Sequence, residues 1–189
     1  MDARRVADAV ELLERYDAAA IEHPGGTLLA HLIRVEERLA RWGARPTVRL
    51  AGLCHAAYGT DGFPTALMPL GRRTELAGVI GAEAEELVYL YGACGRAASY
   101  PRLAEGAPMV DRFSADEFMP SWQQRRDFAE LTAANELDLV FASAEFARRH
   151  GAGILALLTR FRPLLSEHAW RDRVTAESTV DSGVGLTVD

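Results

Sequence analysis

Apolar residues recur every three or four positions along most of the chain, which is the spacing of a buried helix face. The first run predicts an amphipathic helix over residues 4–20, and the second predicts a helix over residues 28–42 that Thr27 caps. Gly43 follows the second helix, at a position where a left-handed residue commonly ends one. His31 falls on the apolar side of this helix, so we expect its side chain to face inward.

Five later segments show the same spacing: residues 47–57, 74–80, 82–93, 122–149 and 154–168. Ser121 and Gln124 form the pattern of a capping box at the start of the long helix. We expect Gly151 to end that helix and Pro163 to kink the last one. No segment shows the strict alternation of a β-strand. The pattern therefore predicts an all-α bundle of about six to eight helices.

The segments between the predicted helices are rich in glycine and proline. Residues 58–71 directly follow His55, and loops in such a position often carry functional side chains. Residues 96–120 lack sustained periodicity, which fits either a lid over a ligand or a mobile linker. We expect one domain over residues 1–174 and a frayed, polar tail over residues 175–189.

Composition then restricts the class of protein. Apolar residues make up 49% of the chain and charged residues 25%, as in an ordinary globular protein. The net charge of −6 gives no electrostatic reason to bind nucleic acid, and no apolar run approaches the roughly 18 residues of a membrane span. Cys54 and Cys94 lack the spacing of a zinc site. We expect a cytoplasmic protein with a small-molecule substrate and no nucleic-acid or membrane partner, and we leave a homodimer open.

Three separate predicted helices carry residues that suit a common polar site. His31 lies within the second helix, His55 ends the third, and Asn135 and Asp138 lie within the long one. Side chains from facing helices of a bundle can converge on its core, and imidazole with carboxylate is a combination that binds divalent metals.

Three short segments carry these residues, namely Leu29-Ala30-His31-Leu32-Ile33-Arg34-Val35, Leu50-Ala51-Gly52-Leu53-Cys54-His55-Ala56 and Ala134-Asn135-Glu136-Leu137-Asp138. In this order they resemble the blocks of the HD-domain superfamily, in which a His, a His-Asp pair and a later Asp bind metal. The resemblance covers roughly residues 27–140. It implies an HD-like helical bundle and extends to a group of small bacterial proteins related to HD domains.

Two positions depart from the HD pattern. Ala56 stands where the paired Asp belongs, and Asn135 stands where the last Asp belongs. Each change removes a charged ligand on which a hard cation such as Mg²⁺ depends. His31 and His55 would still suit Fe, Zn, Mn or Ni, provided that a third ligand came from one of three residues: His23, Asp61 or Asp138.

Further candidates surround these residues in the sequence. The loop after His55 offers a phenol, a hydroxyl and a carboxylate, although its residues also suit turns and caps. Arg96 could clamp an anionic substrate, but a solvated surface role is the plainer alternative. The predicted catalytic residues are His31, His55, Tyr58, Asp61 and Asn135. The predicted substrate-binding residues are His23, Thr60, Phe63, Arg96 and Asp138.

Two classes of function remain open from the sequence. The first is a small-molecule enzyme, in which His31 and His55 either bind a metal for hydrolase or oxygenase chemistry or act as general acid and base. Isomerisation, elimination and cyclisation fit the metal-free version. The second class is a ligand-binding or protein-binding module without catalysis, in which the HD metal site has decayed.

Overall fold

The computed structural model describes residues 3–184, and this part of the chain is mostly helical, which confirms the all-α prediction. Its nine α-helices are α1 Ala3–Arg15, α2 Leu28–Arg41, α3 Pro46–Cys54, α4 Arg73–Ile80, α5 Ala82–Ala93, α6 Arg96–Ser99, α7 Trp122–Ala142, α8 Ala144–Arg160 and α9 Glu167–Val184. Two small antiparallel hairpins pair β1 Glu22–His23 with β2 Gly26–Thr27, and β3 Met109–Val110 with β4 Glu117–Phe118. No described helix has both the length and the apolar character that a membrane span needs.

Helix α7 forms the centre of the molecule. Every residue from Asp127 to Val140 is buried, so this helix has no face turned to solvent along most of its length. It packs against α2, α3 and α5 on one side and against α8 and α9 on the other. A helix surrounded in this way is usually apolar all round, but six of these fourteen residues are polar: Asp127, Glu130, Thr132, Asn135, Glu136 and Asp138. Those polar residues are therefore the first place to look for a site.

The ends of the early helices follow their sequence signals. Thr27 Oγ1 accepts a hydrogen bond of 3.2 Å from the backbone N–H of Ala30, as predicted for an N-cap. Gly43 has a φ of 72°, which suits its position after α2. Helix α1 is shorter than predicted, because it ends at Arg15 and Asp17 then adopts a left-handed conformation.

The predicted long helix over residues 122–149 is wrong, because the chain breaks at Ser143. This residue has an extended backbone (φ −140°, ψ 110°), and its side chain accepts a hydrogen bond from the N–H of Phe146 to cap α8. Gly151, expected to end a helix, lies within α8 and is buried. It allows α9 to approach, since a Cβ atom there would lie 2.5 Å from Cγ2 of Val180.

The predicted frayed tail is also wrong for residues 175–184, which belong to α9. Ala176 and Val180 are buried, and α9 packs along α8 and α7. Small and branched residues spaced along an otherwise polar helix form this narrow contact. Pro163 lies in a short 3₁₀ turn between α8 and α9, so it separates two helices where a kink within one helix was expected. Residues 185–189 of the predicted tail lie outside the described residues.

Candidate functional site

Three histidine rings lie one against the next at the centre of the bundle. His23, at the end of β1, stacks on His31 of α2 with ring centroids 4.2 Å apart. His31 in turn meets the ring of His55, the residue that ends α3, edge to face at 5.3 Å. The structure therefore brings together the three histidines that the sequence singled out.

Both ring nitrogens of His31 face acceptor oxygens. Nδ1 lies 2.7 Å from Oδ2 of Asp138, and Nε2 lies 3.0 Å from Oδ1 of Asn135. The amide of Asn135 is oriented by its other end, since its Nδ2 donates to Oε1 of Glu136 at 3.2 Å. Asp138 and Asn135 therefore fix the plane of the His31 ring from both sides.

Asp138 also accepts hydrogen bonds from Arg34 of α2. The guanidinium of Arg34 donates to its carboxylate at 2.8 and 2.9 Å, so two donors share one buried acid. Burial by itself raises the pKa of Asp138, but the hydrogen bonds from His31 and Arg34 outweigh this effect and lower it. The carboxylate thus stays charged and holds His31 in place.

His55 is arranged in the opposite way. Its Nδ1 donates to the carbonyl oxygen of Gly52 at 2.8 Å, and its Nε2 has no hydrogen-bond partner among the described residues. Burial, followed by the neighbouring His31, lowers the pKa of His55 to about 3. Burial, followed by the same neighbour, lowers the pKa of His23 to about 4. His55 therefore presents a neutral acceptor nitrogen.

This nitrogen belongs to a ring that lines a cavity of about 480 Å³. That volume lies in the range of about 300–1,000 Å³ usual for small-molecule sites. One part of the wall is apolar and comes from Leu28, Leu139, Phe146, Ile154 and Leu157. The polar lining consists of His23, His55, Thr60, Arg96, Tyr100, Asn135, Glu136 and His150.

An ion pair lies at the polar end of the cavity. Nη1 of Arg96 is 3.2 Å from Oε1 of Glu136, and both side chains are largely buried. The guanidinium also lies against the rings of Tyr91 and Tyr100, at 5.8 and 5.6 Å from their centroids. The hydroxyl of Tyr100 is buried and has no hydrogen-bond partner within the described chain. Polar atoms without partners beside a cavity are what a ligand site offers.

The structure places six of the ten predicted site residues on the cavity wall, namely His23, His55, Thr60, Phe63, Arg96 and Asn135. The other four do not line it. His31 and Asp138 hold the lining residue Asn135 through hydrogen bonds. The hydroxyl of Tyr58 donates to Glu85 instead, and exposed Asp61 accepts a hydrogen bond from the backbone N–H of Arg96.

Three polar residues of the cavity wall were not among the predicted site residues: Tyr100, Glu136 and His150. His150 was expected beside a helix terminus, but the break at Ser143 places it inside α8. A signal for that break exists, because Ser143 followed by Glu145 is a typical helix start. Glu136 lies next to Asn135 in the sequence, so its place in the same block was the available signal.

The metal site that the HD-like order implies does not fit these side chains. Asp138 and Asn135 engage both ring nitrogens of His31. In the described part of the chain, no group of three or more His, Cys, Asp or Glu side chains is placed to hold a metal ion. A metal at His31 would have to replace hydrogen bonds that the protein already makes.

Comparison with known families gives a match to a family model described as "Domain of unknown function (DUF6817)", over residues 12–96. The match covers less than half of the chain. It includes His23, His31, His55 and Arg96, but neither Asn135 nor Glu136 of α7. No curated protein and no solved structure matches the chain significantly. These comparisons assign no function to the site.

Proposed function

We propose that this protein binds a small organic molecule in the cavity and that Nε2 of His55 accepts a hydrogen bond from it. The observation that carries the proposal is the state of His55, whose Nδ1 is held by Gly52 while the ring, with Nε2 free, lines the cavity. Nε2 of His55 has no partner among the described residues and is not fully buried, so the cavity gives access to it. A bound ligand that donates to this nitrogen would take the place of water there.

The surrounding residues support a prearranged site. Asp138 holds His31, His31 holds Asn135, and Asn135 donates to the lining carboxylate of Glu136. Such a chain of hydrogen bonds fixes the orientation of the groups that would meet the ligand, which lowers the entropy cost of binding. The His31–Asp138 pair is therefore a positioning device for the wall of the cavity.

The convergence of His31, His55 and Asn135 also supports a distant relation to HD domains, which we propose as the origin of this bundle. In that interpretation the carboxylate ligands were lost and the central cleft was kept. The metal-dependent hydrolase or oxygenase version is the weaker form of the proposal, since it requires His31 to give up Asp138 and Asn135.

The binding proposal is tested with the variant His55→Asn. The amide Nδ2 of asparagine can still donate to the carbonyl of Gly52, but the side chain has no atom in the place of Nε2. Small uncharged organic molecules are screened by two-dimensional NMR of the ¹⁵N-labelled protein. We expect hits that shift resonances of cavity residues such as Thr60 and Asn135, and these hits should lose about tenfold in affinity in the variant.

The exposed His168 provides the matched control, because His168→Asn makes the same chemical change on the surface of α9. This control should bind the hits as the wild type does. A screen in which no molecule perturbs the cavity, or in which His55→Asn binds as tightly as the control, would overturn the proposal.

Acid–base catalysis in the same cavity is a second candidate. It is favoured by the side chains of His55, Glu136 and Tyr100, which line one wall and offer a neutral base, a carboxylate and a phenol. In an isomerisation, Nε2 would take a proton from one substrate atom and return it to another. We rank it second because a base whose conjugate acid has a pKa of about 3 is weak near neutral pH.

Hydrogen exchange separates these two candidates. Each molecule that binds is incubated with the protein in D₂O, and its carbon-bound hydrogens are followed by NMR. Deuterium that enters the molecule with the wild type but not with His55→Asn would establish proton transfer. Binding without exchange would leave a ligand-binding module.

A further inference from the structure

We infer that the cavity selects an uncharged molecule with a hydroxyl group near a carbonyl group at one end and an apolar body at the other. This inference rests on the proposed function, because it names the class of ligand for the same site. It is carried by the chemistry of the wall, which divides into acceptors, donors and apolar side chains.

The acceptors argue for a ligand that donates. Nε2 of His55 offers a lone pair, and Oε2 of Glu136 has no hydrogen-bond partner among the described residues, since Arg96 and Asn135 both donate to Oε1. An anionic group placed against these two atoms would meet two acceptors and no hydrogen-bond donor. A hydroxyl group satisfies either acceptor through its single hydrogen.

The cations near the cavity argue against a positively charged ligand. Arg96 already balances the charge of Glu136 at 3.2 Å. Behind the wall, Arg34 adds a further positive charge, and Asp138 is already engaged by both Arg34 and His31. An ammonium group in the cavity would therefore find a carboxylate that is already paired and further positive charge nearby.

The donors argue for a carbonyl oxygen in the ligand. Arg96 lines the cavity, and only its Nη1 among the guanidinium nitrogens has a hydrogen-bond partner in the described part of the chain. The remaining N–H groups are pure donors, which a neutral carbonyl oxygen can accept without adding charge. Arg96 and His55 both contact the ring of Tyr91, so the donor and the acceptor lie near each other.

The rest of the cavity suits an apolar body. Leu139 follows Glu136 by one turn of α7, and α8 supplies Phe146, Ile154 and Leu157 together with the polar ring of His150. Apolar surface of a ligand that packs against the apolar side chains is removed from water, which favours binding. The polar end of the ligand therefore lies toward His55, and its apolar end lies toward α8.

Four probes of nearly the same shape test this inference. 2-Hydroxyacetophenone carries the hydroxyl, the carbonyl and the apolar ring, acetophenone lacks the hydroxyl, benzoylformate is an anion, and the ammonium form of 2-aminoacetophenone is a cation. Dissociation constants are measured at neutral pH from the NMR shifts of cavity residues. We expect the hydroxyketone to bind about tenfold more tightly than each of the other three.

The outcomes are distinguishable from those of the proposed function. Equal or tighter binding of the anion or the cation in the cavity, weakened by His55→Asn, would overturn the ligand class and leave the binding site standing. Equal binding of acetophenone and the hydroxyketone would overturn the role of the hydroxyl. If all four probes, like the screened molecules, leave the cavity resonances unchanged at millimolar concentration, both the inference and the proposed function fail.

Discussion

Three adjacent buried imidazoles cannot all carry a positive charge, and their hydrogen-bond partners differ. His31 has a carboxylate and an amide oxygen as acceptors, whereas His55 has a single carbonyl. Burial, and after it the neighbouring His31, lowers the pKa of both His23 and His55. Two neutral rings therefore flank His31.

Nitrogen-15 NMR of the imidazole rings tests this distribution of protons. At neutral pH we expect a protonated Nδ1 and a bare Nε2 in His55. Because burial lowers the pKa of His55 to about 3, its ring should stay neutral on acidification to pH 5. A ring of His55 that titrates near the ordinary value of 6.5 would contradict the arrangement.

Asp138 is expected to be the most sensitive single position of the network. The change Asp138→Asn leaves His31 and Arg34 without their buried anion, and removing one partner of a buried pair costs about 3 kcal/mol of unfolding free energy. Urea unfolding measures this loss. The nitrogen-15 resonance of Nδ1 of His31 should also shift, since this atom then no longer faces a carboxylate.

The exposed carboxylate of Asp61 provides a control for that experiment. Asp61→Asn keeps an oxygen that can accept from the N–H of Arg96, so we expect a change of less than about 0.5 kcal/mol, as is usual for surface substitutions. A loss of stability that is equal in the two variants would contradict the special role of Asp138.

The sequence predicted the histidines of the site but not all of its wall. His23, His31 and His55 stand out because polar residues beside or within apolar helix faces are conspicuous. Tyr100 and His150 could not be assigned in this way, since they line the cavity only through the positions of α6 and α8. Their roles depend on packing between distant elements, which periodicity does not report.

At the scale of helices, the contact between α8 and α9 depends on the absence of a side chain. Gly151 is buried beneath Val180, and only a residue without a Cβ atom allows this approach. Intrinsic helix propensity disfavours glycine within a helix by about 1 kcal/mol relative to alanine. Packing therefore outweighs propensity at Gly151, and this is why the sequence indicated a helix end there.

A pair of glycine substitutions tests this explanation. We expect Gly151→Ala to lower the unfolding free energy by about 1–3 kcal/mol, since the added methyl group overpacks the contact with Val180. Gly153, two residues later in α8, has no atom within 4 Å of an added Cβ. Gly153→Ala should therefore raise the stability by up to about 1 kcal/mol. Thermal and urea unfolding of both variants measure these changes, and equal signs would contradict the explanation.

Most helices were predictable from the sequence, but only some of their ends were. Capping at Thr27 and Ser121 follows local hydrogen-bonding rules, and the structure shows both caps. The break at Ser143 was hidden because apolar residues continue on both sides of it. Helix α9 was missed beyond residue 168 because the buried residues Ala169 and Ala176 are alanines, which carry a weak hydrophobic signal.

At the scale of the whole molecule, the site exists only in the folded bundle. The hydrogen bond between His31 and Asp138 joins residues 107 positions apart, and His55 comes from a third helix. Folding must also bury His55 in its neutral form. The stability of the protein is therefore linked to pH through the site.

Acidification should destabilise the protein, and His55 is expected to contribute a measurable part. Below pH 6.5 the unfolded chain protonates this residue, whereas the folded protein, with a pKa of about 3 there, does not. The unfolded state then binds more protons, so the unfolding free energy falls with falling pH, by about 2 kcal/mol between pH 7 and pH 5 for this residue. Urea unfolding of the wild type and His55→Asn at both pH values measures how much of the pH dependence comes from His55.

The contributions of groups such as Asp138 and Glu130 are present in both proteins and cancel in this comparison. The control His168→Asn should keep the pH dependence of the wild type. Parallel curves for the wild type and His55→Asn would show that the folded protein protonates His55 as readily as the unfolded chain does, which would remove the neutral acceptor from the proposed site.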